Sequence, residues 1–216
     1  MQCATNGDSI KKFDFNFIYF ILPIILWPLV FIVFAKYFVY AMGIAAAILA
    51  LLTLWKKPKL IKWKSPNISK VLAFGIIGSV ILYLLFLLGY YLAIASGLGQ
   101  YVNLIYSLIY SQAPKLAIVV LLAIIGFFEE VYWRGGVQGY VSRNWKSFSK
   151  YPWIISTAYY SLVHITTLNP VLVLAAFLVG LVTSLIASRH GIVSSAIAHI
   201  LWIEAIIIFL PVIVIH

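Results

Sequence analysis

Charged residues are scarce in this chain of 216 residues: they make up only 9% of it, and just five are acidic. A soluble domain carries about 25% charge. With 64% hydrophobic residues and a mean hydropathy of +1.08, the composition excludes a soluble globular domain and a disordered tail. Cysteine is nearly absent too. The lone Cys3 leaves no internal disulfide and no Cys-rich metal site, which excludes a disulfide-stapled secreted module; we read it as incidental. Also missing are His-Glu-x-x-His, Gly-x-Ser-Gly and Gly-x-Gly-Asp, the marks of zinc, serine and aspartyl proteases. No internal repeat or long linker divides the chain. What remains is an all-α, polytopic transmembrane helix bundle, a single integral membrane domain over 1–216.

A span needs about 20 apolar residues, and seven segments qualify: 15–35, 37–55, 71–95, 115–133, 153–168, 171–188 and 192–214. Lys36 breaks the first apolar tract. Asn169–Pro170 separates the fifth span from the sixth, because proline disfavours helix in the residue before it, and Arg189–His190–Gly191 separates the sixth from the seventh. The fifth and sixth are short. The first follows Lys11 and Lys12, as a signal peptide would, but it is too long and no cleavage site follows it, so it reads as a retained span.

Fifteen Lys and Arg against five acids give a net charge of +10. The layout accounts for this without a nucleic-acid partner. One side collects Lys11, Lys12, the lysines between 56 and 70, Arg134, Arg143, Lys146, Lys150 and Arg189; the other holds only Lys36 and Lys115. The positive-inside rule then puts the N-terminus in the cytoplasm and the C-terminus outside, in the cell membrane. The loop Lys56–Lys64 reads as a topology determinant lying against anionic headgroups. Tyr101–Gln112 reads as an amphipathic interfacial helix on the outer face, anchoring the bundle to the bilayer.

Charged side chains inside a span cost at least about 2.5–3.5 kcal/mol on insertion scales and need a partner or a function. Asp8 and Asp14 precede or open the first span, but Glu129, Glu130 and Glu204 sit within or at the ends of apolar spans, as do His164 and His199. On a helix, Glu130 and Arg134 are spaced i, i+4 and can pair. Glu129 is turned about 100° away, without that partner, and is free to exchange a proton as a general base. His164 lies roughly 16 Å and His199 roughly 11 Å from the cytoplasmic ends of their spans, so both can share a pocket with Glu129. One carboxylate and two imidazoles suffice to activate a water or to hold one divalent metal such as zinc. Glu204, at i+5 from His199, lies about 140° around the helix and does not share its face. His190 and His216 read as inert.

These residues resemble a known family. Glu129-Glu130-Val-Tyr-Trp-Arg134-Gly135 is similar to the Glu-Glu-x-x-x-Arg-Gly signature of the CAAX protease and bacteriocin-processing (Abi) family, which includes the type 2 CAAX prenyl proteases. Tyr160-Ser-Leu-Val-His164 resembles its second motif, with Tyr in place of the usual Phe. Phe177 through His199 resembles its third region, and the likeness covers roughly 115–205. The resemblance implies an all-helical membrane endopeptidase opening to the cytosol and acting on a membrane-anchored protein or peptide. Glu129 would activate water with help from His164, Glu130 and Arg134 would support that site, and His199 would stabilise the oxyanion, with or without a divalent metal. One departure stands out: the family's last motif, His-x-x-x-Asn, has Ile203 at the Asn position. Ser195, four residues before His199 and on its face, is the candidate substitute.

Other readings use the same residues. A maturation peptidase for C-terminal anchors or peptide precursors would need the same site. A catalytically impaired relative acting as a membrane immunity factor or scaffold is favoured by Ile203 and opposed by the intact Glu and His residues. A proton-relay transporter is opposed by the lack of paired repeats.

Overall fold

A computed structural model describes residues 15–63, 65–110 and 113–213; Cys3, Asp8, Lys11, Lys12, Asp14, Lys64, Gln112 and His216 lie outside them. Among the described residues the secondary structure is helical, with no strand. The helices are α1 (Phe15–Pro28), α2 (Phe38–Lys56), α3 (Ile68–Ala95), α4 (Gly99–Tyr110), α5 (Lys115–Glu130), α6 (Gly139–Asn144), α7 (Pro152–Leu162), α8 (Pro170–His190) and α9 (Ile192–Glu204). Among the described residues five helical rods are long and apolar enough to cross a membrane: Ala35–Lys56, Ile68–Ala95, Lys115–Asn144, Pro170–His190 and Ile192–Phe209. Exposed Leu, Ile, Val and Phe side chains coat them, as a bilayer requires, and the protein is an integral membrane helix bundle. The first span is a shorter apolar helix, Ile18–Val33, and the fifth is α7 extended by a tight turn, Val163–Thr167. The sixth, α8, is longer than the sequence suggested.

The breaks fall where local chemistry demands them. Pro23 and Pro28 sit inside α1, which loosens into a π turn over Leu29–Val33 and ends around Lys36. Leu168 adopts a left-handed conformation, and the Asn169 side chain then caps α8 by accepting from the Leu172 amide at 3.0 Å. Gly191, with φ of 86°, turns α8 into α9. The loop after α2 has structural work as well as charge. Lys62 donates to the carbonyls of Ser188 and Arg189, and the amides of Ile192 and Val193 donate to the carbonyls of Lys62 and Trp63. The basic segment therefore ties together the α8–α9 turn.

The fourth span differs most from a simple helix. It does not end near Trp133: α5 passes into a π turn over Val131–Gln138 and on through α6, one rod from Lys115 to Asn144. Glu129 and Glu130 are thereby sunk to mid-rod. A π turn shifts the backbone register, a distortion often found at functional sites. Here Ser156 of α7 donates to the Trp133 carbonyl at 3.0 Å within the turn.

Two glycines set the spacing around the centre. Gly126 of α5 lies against Ile200 of α9, where an added Cβ would meet Ile200 Cγ1 at 3.1 Å and its Cα at 3.6 Å. Gly180 of α8 lies against α7, where a Cβ would stand 3.3 Å from both Thr157 and the Tyr160 ring. Close approach at the first brings the two glutamates beside His199. Overpacking a buried contact typically costs about 1–3 kcal/mol, so Gly126→Val is expected to separate α5 from α9 and lower stability by that amount. Thermal unfolding in detergent checks this; an unchanged midpoint would show that the contact is slack.

Candidate active site

Glu129, Glu130, Arg134, His164 and His199 are all buried, none more than 4% exposed. Four of them form one connected polar group. Glu130 and Arg134 pair as their spacing predicts, with Arg134 Nε 3.4 Å from Glu130 Oε2. Arg134 also donates from Nε and one terminal nitrogen to the Thr183 hydroxyl, at 2.8 and 2.6 Å, and its guanidinium lies 4.9 Å from the centre of the Tyr160 ring. The Thr183 hydroxyl in turn donates to the Val179 carbonyl at 2.8 Å. The Glu130 carboxylate reaches across to α9, where Oε1 lies 3.0 Å from His199 Nδ1.

This arrangement orients His199. A carboxylate held by an arginine can only accept, so Nδ1–H of His199 is the donor and Nε2 is turned to the other glutamate, 3.8 Å from Glu129 Oε2. The same Glu129 oxygen accepts from the Tyr160 hydroxyl at 2.9 Å, while Glu129 Oε1 is buried with no hydrogen-bond partner. Moving one proton between Glu129 and His199 leaves the net charge of the four-residue group unchanged. With that one proton present the two carboxylates are balanced, which matters where a net buried charge costs several kcal/mol.

His164 lines the same cavity, with both ring nitrogens engaged. The Trp27 indole N–H donates to Nε2 at 3.0 Å, and Nδ1 lies 2.7 Å from the Tyr160 carbonyl. An indole can only donate and a carbonyl can only accept, so His164 is neutral with its proton on Nδ1. It stands among Trp27, Phe31 and Tyr160, each edge-on to its ring.

Glu129, Tyr160, His164 and His199 border a cavity of about 360 Å³ whose remaining walls are almost wholly apolar. Those walls come from the helix ends remote from the basic loops, including Phe86 and Ala93 of α3, Val102 and Tyr106 of α4 and Trp202 of α9. The end nearer the basic loops is packed shut. There Gln138 donates to the Ser184 carbonyl and the Ser188 hydroxyl, Tyr132 donates to the Tyr19 carbonyl, and the Tyr19 hydroxyl donates to that of Thr53 at 2.7 Å, which in turn donates to the Leu49 carbonyl. The resemblance implies a site open to the cytosol; in this structure the space beside Glu129 runs toward the helix ends remote from the basic loops, while at the other end Gly135 and Gly136 let Ile61, Ile192, Tyr19 and Thr53 pack close.

Several expectations are refined by these contacts. Arg134, tallied with the loop charges, is a buried partner of Glu130 and counts for neither side of the membrane. Ser195 donates to the Ile192 carbonyl at 3.0 Å, which occupies its proton. Ile203 lines the cavity, so the place of the family Asn is filled by hydrocarbon. Glu204 is buried with both carboxylate oxygens unpartnered and does not border the cavity. On α4, Tyr106 and Tyr110 do more than anchor the helix: their hydroxyls donate to the carbonyls of Ile206 and Ile207 in the π turn that ends the α9 rod. Sequence reasoning missed Thr183, Trp27 and the hydroxyl of Tyr160. Only Tyr160 carried a signal, one helical turn before His164.

A metal would need three donors converging on one point. Among the described residues no three His, Cys, Asp or Glu side chains stand close enough to share an ion. Glu130 is held by Arg134 and His199, and His164 by Trp27 and the Tyr160 carbonyl. These residues do not fit a zinc centre, and the chemistry considered below runs through protein groups.

The fold and site define an integral membrane protein with a buried Glu/His cluster at one end of an apolar chamber. Residues 111–203 match the family model for type II CAAX prenyl endopeptidases, Rce1-like. That stretch contains the whole cluster, from Glu129 to His199. The resemblance carried by the motifs is therefore shown over it, and it points to a protease. No curated protein and no solved structure matches the chain.

Proposed function

We propose that the protein is an intramembrane endopeptidase cleaving a membrane-anchored protein or peptide with a glutamate-activated water. The observation that carries this reading is Glu129 Oε1, a buried carboxylate oxygen with no partner, on a cavity that also exposes His199 and Tyr160. Glu129 takes a proton from water as the water oxygen bonds to the scissile carbonyl carbon. The carbonyl electron pair moves to oxygen, and His199, oriented by Glu130 and carrying a proton on Nε2, donates to the resulting oxyanion. Such a donor in a water-poor site is worth several kcal/mol. The proton on Glu129 then passes to the leaving amine nitrogen as the C–N bond breaks and the carbonyl re-forms, giving a carboxylic acid and an amine and returning Glu129 to its ionised form. His164 holds the α7 backbone at Tyr160 and reaches the water only by parting from Trp27.

The apolar chamber suits a substrate with a hydrocarbon portion, of which a prenyl chain is one form. The test is cleavage of a panel of lipidated and membrane-anchored reporter peptides by the purified protein beside Glu129→Gln. Cleavage lost only in the variant supports the reading. No cleavage by folded wild type favours the impaired relative, with Ile203 as its cause.

The basic loops support an orientation with the α2–α3 and α6–α7 connections in the cytoplasm. In a Cys3→Ser background, Ser147→Cys is expected to resist a membrane-impermeant thiol reagent on intact cells and to react once the membrane is opened. Labelling of intact cells would reverse the orientation.

A further inference from the structure

We propose that Tyr160 is a positioning residue of this site, whose hydroxyl holds one oxygen of Glu129 and leaves the other as the base. Tyr160 is 5% exposed and fixed on every side. Its ring lies under the Arg134 guanidinium, 5.1 Å from the Trp133 ring and edge-on to His164. Its own carbonyl is held by His164 Nδ1, and the missing side chain of Gly180 lets the ring lie close against α8, where a Cβ would stand 3.3 Å from it. The hydroxyl is thus delivered to Glu129 Oε2 at 2.9 Å by a side chain that cannot easily turn away.

The two oxygens of Glu129 consequently differ. Oε2 accepts from Tyr160 and faces His199 Nε2 at 3.8 Å, while Oε1 accepts from nothing. Without the phenol, the carboxylate could rotate about its last bond and present either oxygen to His199, and the base would lose its fixed aim. A misplacement of about 1 Å in a reacting group can cost about 100-fold in rate. The donated hydrogen bond also favours the ionised carboxylate, the form able to take a proton from water. The other charged or titratable groups nearby are Glu130 and Arg134 on the same rod, His199 on α9 and His164 after α7, and none of these donates to Glu129 at hydrogen-bond distance. The other tyrosine of this cluster of helices that reaches the cavity wall with a spent hydroxyl, Tyr106, serves the Ile206 carbonyl.

The inference rests on the hydrolytic reading for its kinetic arm only. Tyr160→Phe keeps the ring and its packing and removes one oxygen. In a cleavage assay it is expected to lower kcat by about 10- to 100-fold with KM within about twofold of wild type. A second readout needs no substrate. Dicyclohexylcarbodiimide adds to the protonated form of a buried carboxyl, the carboxyl oxygen bonding to the carbodiimide carbon and the proton passing to nitrogen. Loss of the Tyr160 donor is expected to raise labelling of Glu129 by about threefold or more, with Glu204 labelling unchanged as the internal reference, both read by peptide mass spectrometry. Unchanged labelling of Glu129 overturns the inference, with or without activity. Raised labelling with unchanged kcat overturns the positioning role. If wild type cleaves nothing, the hydrolytic reading fails, and the labelling still decides whether Tyr160 governs Glu129.

Discussion

Glu129→Gln is expected to reduce cleavage by at least about a thousandfold while leaving the bundle folded. A positioned general base contributes typically about 10²- to 10⁴-fold, and here no second group stands ready to replace it. His199 Nδ1 is committed to Glu130, and both nitrogens of His164 are taken by Trp27 and the Tyr160 carbonyl. The exchange keeps shape, and the amide oxygen can still accept from the Tyr160 hydroxyl, so the thermal midpoint should move little. Activity above about one hundredth of wild type in a folded preparation would remove Glu129 from the role of base. A large drop in stability would be equally informative, because it would show that the carboxylate charge itself holds the site together.

Much of this was legible in the sequence because the signals were physical ones. A chain so apolar has to build helices that satisfy their own backbone in lipid, and the span breaks carry proline, glycine or lysine. The Glu130–Arg134 pair follows from helical spacing alone, and the π turn that begins at Val131 does not disrupt it. Partners across helices were not legible. That Trp27 donates to His164, or Thr183 receives Arg134, depends on how α1 and α8 lie against the fourth rod, and neither residue belongs to a pattern. The depth of the glutamates was legible only in part, from the apolar run that continues to Val137. Arg134, Gly135 and Gly136 look like the end of a span, yet Gly135 and Gly136 are tight contacts with Ile61, Ile192, Tyr19 and Thr53, and the rod continues to Asn144. The direction of the cavity was beyond sequence altogether, since it follows from which end of the bundle is sealed.

Arg134→Met is expected to be the most destabilising single change in the site. Arg134 and Glu130 are the centre of an ion pair from which water is excluded, with both side chains at 0% exposure. Removing one partner of such a pair typically costs about 3–5 kcal/mol, because the other is left as an uncompensated buried charge. The stranded group would be Glu130, with Oε2 already lacking a hydrogen bond and no charged partner but His199 left to answer it. The double variant Glu130→Gln with Arg134→Met removes the charge along with its partner and should recover most of that loss, since a buried pair replaced by neutral groups is often near break-even. Activity should not return with it. Without the Glu130 carboxylate, Nδ1 of His199 loses the charged acceptor that turns Nε2 toward Glu129, and the donor for the oxyanion loses its aim. Thermal unfolding of both single variants and the double, set out as a mutant cycle, measures the coupling directly. A coupling near zero would mean that the two charges are solvated independently, and the account of a sealed, neutral site would fall with it.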